Sequence, residues 1–144
     1  MNILLVDDSR LIRTINERTL MKAGHTVIVA SDGEEALRLA TERKPDLIIL
    51  DMLLPKISGV DVLRALRKNI CTASIPVMVV SSLPESNREK LISEGATAYF
   101  EKSLFAAENG PQAFLEAVQP LIDRIAKQTP HLSPDNPKLN PKFV

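Results

Sequence analysis

Cysteine is almost absent from this chain, and neither sign of charge dominates it. The 144 residues contain one cysteine, Cys71, which excludes an internal disulfide framework and any CxxC zinc or dithiol site. The 18 basic and 18 acidic side chains give a formal net charge of zero, so no overall field draws the protein to nucleic acid or to an anionic membrane. We therefore expect the protein to recognise its partners through local features. The single cysteine favours the reducing cytoplasm as the compartment of the protein.

Long apolar runs are also missing. No run approaches the roughly 18 residues that a membrane-spanning helix needs, and the N-terminus lacks the basic region and apolar stretch of a signal peptide. The composition, 44% apolar and 25% charged, is that of a globular domain with a core. For 144 residues we expect one domain and a tail, without a second output domain.

Five short apolar runs recur along the chain at intervals of roughly 20 to 25 residues. They are nearly continuous in hydrophobicity, and four are rich in β-branched residues, as in strands buried on both faces of a parallel sheet. The runs are Ile3–Val6, Val27–Ala30, Leu47–Leu50, Val77–Val80 and Ala98–Phe100. Their alternation with helical segments predicts a five-stranded, doubly wound α/β domain with about five helices over residues 1–127.

Apolar residues at helical spacing predict the covering helices. The first stripe comprises Leu11, Ile12, Ile15, Thr19 and Leu20, and the last comprises Phe114, Ala117, Val118, Leu121, Ile122 and Ile125. Pro120 lies inside the last stripe and predicts a kink, or a break at which Pro120 opens a second short helix. Prolines and asparagines then recur, so residues 128–144 are predicted to form a flexible tail.

Polar side chains follow the predicted strands at one end of the sheet. They are Asp7 and Asp8 after the first strand, Asp51 after the third, Ser81 after the fourth and Lys102 after the fifth. In the flavodoxin-like order 2-1-3-4-5 the first and third strands are neighbours at the switch point, so the three carboxylates would converge. Each residue alone could be a helix cap or turn residue, but their joint placement favours a site.

Three converging carboxylates repel one another, and either a raised pKa or a bound cation relieves the repulsion. An all-oxygen site with open positions suits Mg²⁺. With a metal, the Lys102 ammonium and the Ser81 hydroxyl around it, Asp51 would be a nucleophile toward phosphorus.

These residues resemble the receiver domain of bacterial two-component response regulators, a flavodoxin-like fold of the chemotaxis type, over roughly residues 1–127. The resemblance rests on four segments that occur in order. They are Ile3–Ser9, Asp51–Pro55 with the following Ser58-Gly59, Val79–Ser82, and Gly95–Lys102.

The resemblance implies that Asp51 is the phosphoacceptor, which attacks the phosphohistidine of a sensor histidine kinase or phosphotransfer protein. It also implies Mg²⁺ as the cofactor. Asp8 would ligate the ion directly, Asp7 through water, and Met52 through its backbone carbonyl. The protein would then be a signalling switch and not an enzyme, although it would assist its own phosphorylation and slow dephosphorylation.

The resemblance further implies a switch at the far side of the sheet. Ser81 would be the hydroxyl that bonds the phosphoryl oxygen, Lys102 the lysine that pairs with the same group, and Tyr99 the aromatic that turns inward when the hydroxyl moves. The output face would be the fourth helix, fifth strand and fifth helix. That face would bind a downstream protein or a second copy of the chain.

Three positions depart from the family pattern. Ser103 follows Lys102 where the family usually has proline, so we expect a looser placement of the lysine and an altered recognition face. Leu53 and Leu83 are apolar where fast-hydrolysing members tend to carry polar groups. We hypothesise that the two leucines exclude water and prolong the phosphorylated state.

Three other function classes are alternatives to this single-domain response regulator. A constitutive interaction module would keep the fold without using phosphate. An Mg²⁺-dependent phosphatase with an aspartate nucleophile would place two aspartates one residue apart, whereas Asp7 and Asp8 are adjacent. Flavin or nucleotide binding would need a glycine- or hydroxyl-rich loop after the first strand, which is missing here.

Overall fold

A parallel sheet is the centre of the computed structural model, which describes residues 1–82, 88–102 and 110–128. Within these ranges its strands are β1 (Asn2–Val6), β2 (Thr26–Ala30), β3 (Leu47–Asp51), β4 (Val77–Ser81) and β5 (Ala98–Glu101). The strand order is β2-β1-β3-β4-β5, so the predicted fold class and order are confirmed. Each strand is one polar residue longer than its predicted apolar run, and Asp51 and Ser81 are themselves the last residues of β3 and β4.

Helices connect the strands and cover the sheet. They are α1 (Arg10–Lys22), α2 (Gly33–Arg43), α3 (Gly59–Lys68), α4 (Arg88–Ser93) and α5 (Gly110–Gln128). The first three begin directly behind the N-cap residues Ser9, Asp32 and Ser58, whose side chains accept the backbone N–H three residues further on. These caps let the chain turn sharply at the carboxyl ends of the strands.

Both faces of the sheet are buried, which explains why the strands lack an apolar/polar alternation. On β1, Leu4 and Val6 belong to the cluster formed with α2, α3 and α4, whereas Ile3 and Leu5 belong to the cluster formed with α1 and α5. Because both sheet faces are filled with apolar side chains, polar chemistry is confined to the ends of the strands.

The inward face of α1 differs from the stripe predicted for it. Leu11 is 71% exposed and Ile15 is 40% exposed, while the polar Asn16 is buried. Ile12, Asn16 and Leu20 are spaced four apart, and this row faces inward because α1 packs against both β2 and α5. The predicted stripe was therefore wrong at Leu11 and Ile15 and missed Asn16.

The last helix runs through its proline without a break. Pro120 lies inside the single helix α5, so the predicted second helix is wrong. Pro120 and Glu116 are both exposed, and the Glu116 carbonyl that loses its hydrogen bond can be solvated. Gln128 is the last residue of α5, and the rest of the predicted tail lies outside the described residues.

None of the helices in the described ranges combines the length and apolar character needed to cross a bilayer.

Candidate functional site

Three carboxylates meet at the carboxyl end of the sheet. Val6 of β1 pairs with Leu50 of β3, so Asp7 and Asp51 follow at the same level on neighbouring strands. Asp7 is 4% exposed and Asp51 is 2% exposed, whereas Asp8 is open to solvent. One oxygen from each of the three carboxylates lies within 4.8 Å of the others. The predicted convergence is confirmed.

Lys102 joins this cluster from the other side of β4. Its Nζ lies 2.9 Å from Asp51 Oδ2 and 3.5 Å from Asp7 Oδ2. Burial alone lowers the pKa of Lys102, but the hydrogen bond to Asp51 and the charge of Asp7 outweigh it, and the pKa is raised overall. The lysine is therefore a fixed positive charge between two buried acids.

The pKa of Asp7 is shifted by its burial and by the charges around it. Burial raises its pKa, and the charge of Asp51 adds to that effect. A hydrogen bond from Ser9 N–H to Oδ1, at 2.9 Å, and the charge of Lys102 act in the opposite direction without cancelling it. One ammonium thus does not compensate the three carboxylates.

The backbone beyond Asp51 is held by the start of α3. Leu53 N–H donates to Asp51 Oδ1 at 3.2 Å, and Gly59 N–H donates to the Met52 carbonyl at 3.1 Å. A Cβ at Gly59 would lie 2.5 Å from Met52 Cα and 2.8 Å from the Asp51 carbonyl oxygen. Only glycine allows this approach, so Gly59 fixes the Met52 carbonyl, whose second lone pair can accept a further ligand.

Ser81 and Tyr99 occupy different depths of the same half of the sheet. Ser81 is fully buried at the end of β4 and pairs with Glu101 of β5. It directly follows Val80, which pairs with Asp51 of β3. Tyr99 is half-buried in β5, opposite Val79, and packs on the core cluster formed with α2, α3 and α4. Ser81 is thus at the edge that holds the acids, whereas Tyr99 lies further down its strand.

A groove of about 430 Å³ runs between α4, β5 and α5, and Tyr99 contributes to its wall. Its lining includes the apolar side chains of Ile92, Ala117 and Leu121 and the two basic residues Arg88 and Arg124. This groove lies on the face that the sequence predicts for output.

A sequence profile of the response regulator receiver domain matches residues 3–113. The chain belongs to this family. It is 42% identical over 101 residues to the alkaline phosphatase synthesis transcriptional regulatory protein PhoP of Bacillus subtilis, and the match covers 69% of this chain and 41% of that protein. It is 41% identical over 116 residues to the gliding motility regulatory protein of Myxococcus xanthus, and the match covers 78% of this chain and 15% of that protein.

Solved structures give the same assignment for the fold. The chemotaxis protein CheY4 of Vibrio cholerae superposes with a TM-score of 0.72 at 29% identity, covering 83% of this chain and 96% of that one. The BeF3-activated N-terminal receiver domain of Klebsiella pneumoniae RstA superposes with a TM-score of 0.71 at 28% identity, covering 84% and 97%. Receiver domains are phosphoacceptor signalling modules of two-component systems and not classical enzymes.

The acidic cluster of this receiver domain fits a divalent cation. Receiver domains bind Mg²⁺ through such a cluster of aspartates. Here the donors are all oxygens, three carboxylates face one ammonium, and Asp8 is open to water, which Mg²⁺ retains in its shell. The pKa of Asp7 is raised first by burial and then by the charges of Asp51 and Asp8, and a bound cation would offset that second, electrostatic part.

Two basic residues at this edge of the receiver domain make contacts that have no counterpart among the sequence predictions. Arg13 Nη1 donates to the Asp7 carbonyl at 2.8 Å. Lys56 Nζ lies 3.5 Å from Asp32 Oδ2 and 3.7 Å from Glu34, which ties the connection after β3 to the start of α2. The only signal for Arg13 in the sequence is a basic residue one turn into the helix that follows the acids.

Of the two leucines that are predicted to exclude water, Leu53 lies within the described residues. Leu53, two residues after Asp51, is 60% exposed at the edge of the site. Leu83 and Ser103 lie outside the described residues.

Proposed function

We propose that this receiver domain is a phosphorylation-dependent switch in which Asp51 accepts a phosphoryl group from the phosphohistidine of a sensor histidine kinase or a phosphotransfer protein. The observation that carries the proposal is the placement of the buried Asp51 carboxylate, 2.9 Å from Lys102 Nζ and beside two further carboxylates. A buried acid has no structural need for two acidic neighbours, since like charges at this range destabilise one another.

In the proposed reaction an Asp51 carboxylate oxygen forms a bond to phosphorus as the phosphorus–nitrogen bond of the donor breaks. The electron pair of that bond goes to the donor imidazole. Asp7, Asp8, Asp51 and the Met52 carbonyl would hold Mg²⁺, which when bound would neutralise charge on the phosphoryl oxygens. Lys102 would pair with a phosphoryl oxygen, and the Ser81 hydroxyl would donate to the same group.

The proposed output is a change on the face formed by α4, β5 and α5. A phosphoryl group adds about −1.5 to −2 charges, which is enough to recruit Lys102 and Ser81 as donors. Lys102 directly follows β5, which also carries Tyr99 in the wall of the groove. A shift of this strand end would therefore alter the shape of the groove.

We propose that this face binds a downstream protein or a second copy of the chain. The curated relatives named above are much longer than their matched segments, so a single-domain regulator stays a prediction. The free, exposed thiol of Cys71 favours the cytoplasm as the compartment.

Incubation with Mg²⁺ and acetyl phosphate tests the proposal, with intact mass as the measurement. We expect one phosphoryl adduct on the parent, none on Asp51→Asn, and a normal adduct on Asp46→Asn. Asp46 accepts the Asn2 N–H near the opposite ends of the strands, so it is a matched aspartate away from the site. An adduct on Asp51→Asn would overturn Asp51 as the phosphoacceptor. No adduct on the parent, together with no response to a BeF3 mimic, would favour a constitutive interaction module instead.

The BeF3 arm has a precedent, since the RstA receiver domain named above is described as BeF3-activated. We expect the mimic to change the NMR signals of the groove residues, including Tyr99, in the parent only.

A further inference from the structure

We propose that Arg13 is a positioning residue for the cation site, acting through the peptide group that joins Asp7 to Asp8. The inference rests on the proposed function, because the site it concerns is the one at Asp51. Nη1 of the half-buried Arg13 donates to the Asp7 carbonyl at 2.8 Å. The side chain thus reaches back six residues, from the first turn of α1 to the end of β1.

The Asp7 carbonyl lies in the short connection between a strand and a helix. The Asp7 N–H donates to the Ala30 carbonyl at 3.1 Å, in continuation of the pairing between β1 and β2. The Arg13 N–H donates to the Ser9 carbonyl at 2.9 Å, in the first turn of α1. The Arg13 side chain supplies the partner for the Asp7 carbonyl between these two points, so one residue holds the turn with both its backbone and its guanidinium.

Fixing this peptide matters more for Asp8 than for Asp7. The Asp7 carboxylate is already held by Ser9 N–H on Oδ1 and faces Lys102 on Oδ2. The Asp8 carboxylate is exposed, and no hydrogen bond from the described part of the chain reaches it. The backbone sets the direction of its Cα–Cβ bond and so decides whether the carboxylate can reach the cluster, and rotation of the Asp7–Asp8 peptide would separate the two acids.

The sign of the effect separates positioning from simple charge. A guanidinium near a cation site repels the cation, so removal of its charge alone would tighten Mg²⁺ binding. Removal of a group that orients the ligands weakens binding, by about 10- to 100-fold in other metal sites. The two roles of Arg13 therefore predict changes in opposite directions.

The test is a calorimetric titration with Mg²⁺, without a phosphoryl donor, on the parent and on Arg13→Gln, Arg13→Lys and Arg10→Gln. We expect Arg13→Gln to raise the Kd for Mg²⁺ by about 10-fold. Arg13→Lys, which keeps the charge and one donor, should give an intermediate value. Arg10 is exposed at the first position of α1 and carries the same charge, so Arg10→Gln should leave the Kd unchanged or slightly lower.

Unfolding curves in EDTA distinguish a merely structural role. Loss of stability in Arg13→Gln with an unchanged or lower Kd would overturn the proposal. If Arg13→Gln does not fold, Arg13→Lys decides, since a parent-like Kd would overturn the proposal and a raised Kd with a normal unfolding curve would support it. Absence of Mg²⁺ binding in the parent, or binding unaffected by Asp51→Asn, would overturn the proposed function and this inference with it.

Discussion

Lys102 Nζ donates to Asp51 Oδ2 at 2.9 Å across 51 positions of sequence. The contact bridges the ends of β3 and β5 above β4, and the same ammonium lies 3.5 Å from Asp7. One lysine is thereby shared between two buried acids, which leaves the cluster with excess negative charge. The burial and the charge of this cluster affect the stability of the protein both without Mg²⁺ and with it.

The first prediction concerns the pH dependence of stability. The pKa of Asp7 is raised by burial, so its contribution to stability is present while it is protonated and is lost as the pH rises through the folded-state pKa. In EDTA, Asp7→Asn should therefore increase the free energy of unfolding relative to the parent near pH 7, and this gain should shrink as the pH falls toward about 4. Urea unfolding at several pH values measures it. A gain that is constant or larger in acid would contradict the prediction.

The second prediction concerns Mg²⁺ and Asp8. Mg²⁺ at 100 times its Kd should raise the free energy of unfolding of the parent by about 2.7 kcal/mol. Asp8→Asn should change stability little in EDTA, because the exposed Asp8 carboxylate accepts no hydrogen bond from the described residues. It should, however, lose most of the stabilisation at the same Mg²⁺ concentration. Thermal unfolding of the parent and of Asp8→Asn, with and without Mg²⁺, measures this stabilisation. Equal stabilisation of the two proteins by Mg²⁺ would exclude Asp8 as a ligand.

The third prediction uses a pair of glycines. Gly59→Ala places a Cβ 2.5 Å from Met52 Cα, so it should lower the free energy of unfolding by about 1–3 kcal/mol through overpacking. It should also weaken Mg²⁺ binding, because the added Cβ moves the Met52 carbonyl. Gly24 has a φ of +97° and no atom within 4 Å of an added Cβ. Gly24→Ala should cost roughly 1–2 kcal/mol for the left-handed backbone and leave the Kd for Mg²⁺ unchanged. If both variants weaken Mg²⁺ binding equally, the effect comes from general destabilisation.

The fourth prediction concerns the lifetime of the phosphorylated state. Leu53 is 60% exposed and its N–H bonds to Asp51, so Leu53→Asn should admit and orient water near the acyl phosphate and speed its loss several-fold. Loss of the adduct is followed by intact mass after the phosphoryl donor is removed. Ile70→Asn is the control, since Ile70 is 92% exposed in the connection between α3 and β4. An unchanged rate in Leu53→Asn would remove the hypothesis for this leucine.

The strands and the acidic cluster were predictable because their signals are local. A run such as Leu47–Leu50 is apolar on both faces, and this pattern predicts a buried parallel strand wherever it occurs. Once the strand order is given, a residue that directly follows such a run must lie at the carboxyl edge of the sheet. Asp7 and Asp51 could therefore be placed together from the sequence.

The face of α1 and the continuity of α5 were not predictable in this way. Leu11 and Ile15 have the hydrophobicity of core residues, yet α1 turns Asn16 inward because its orientation is set by contacts with other elements. Pro120 breaks a helix in isolation, but burial of Phe114, Val118 and Ile122 holds both halves of α5 against the sheet. Tertiary packing outweighs local propensity in both cases.

The sequence by itself determined which residue types stand at the strand ends, because apolar runs and polar breaks are written in consecutive residues. The tertiary structure decided which charges meet, since the contacts of Lys102 with Asp51 and of Lys56 with Asp32 join segments that only the sheet brings together. It also decided that Arg13 turns back onto the Asp7 carbonyl. A hydrogen bond depends on distance and direction in space, and sequence spacing specifies neither once the chain leaves a single helix or strand.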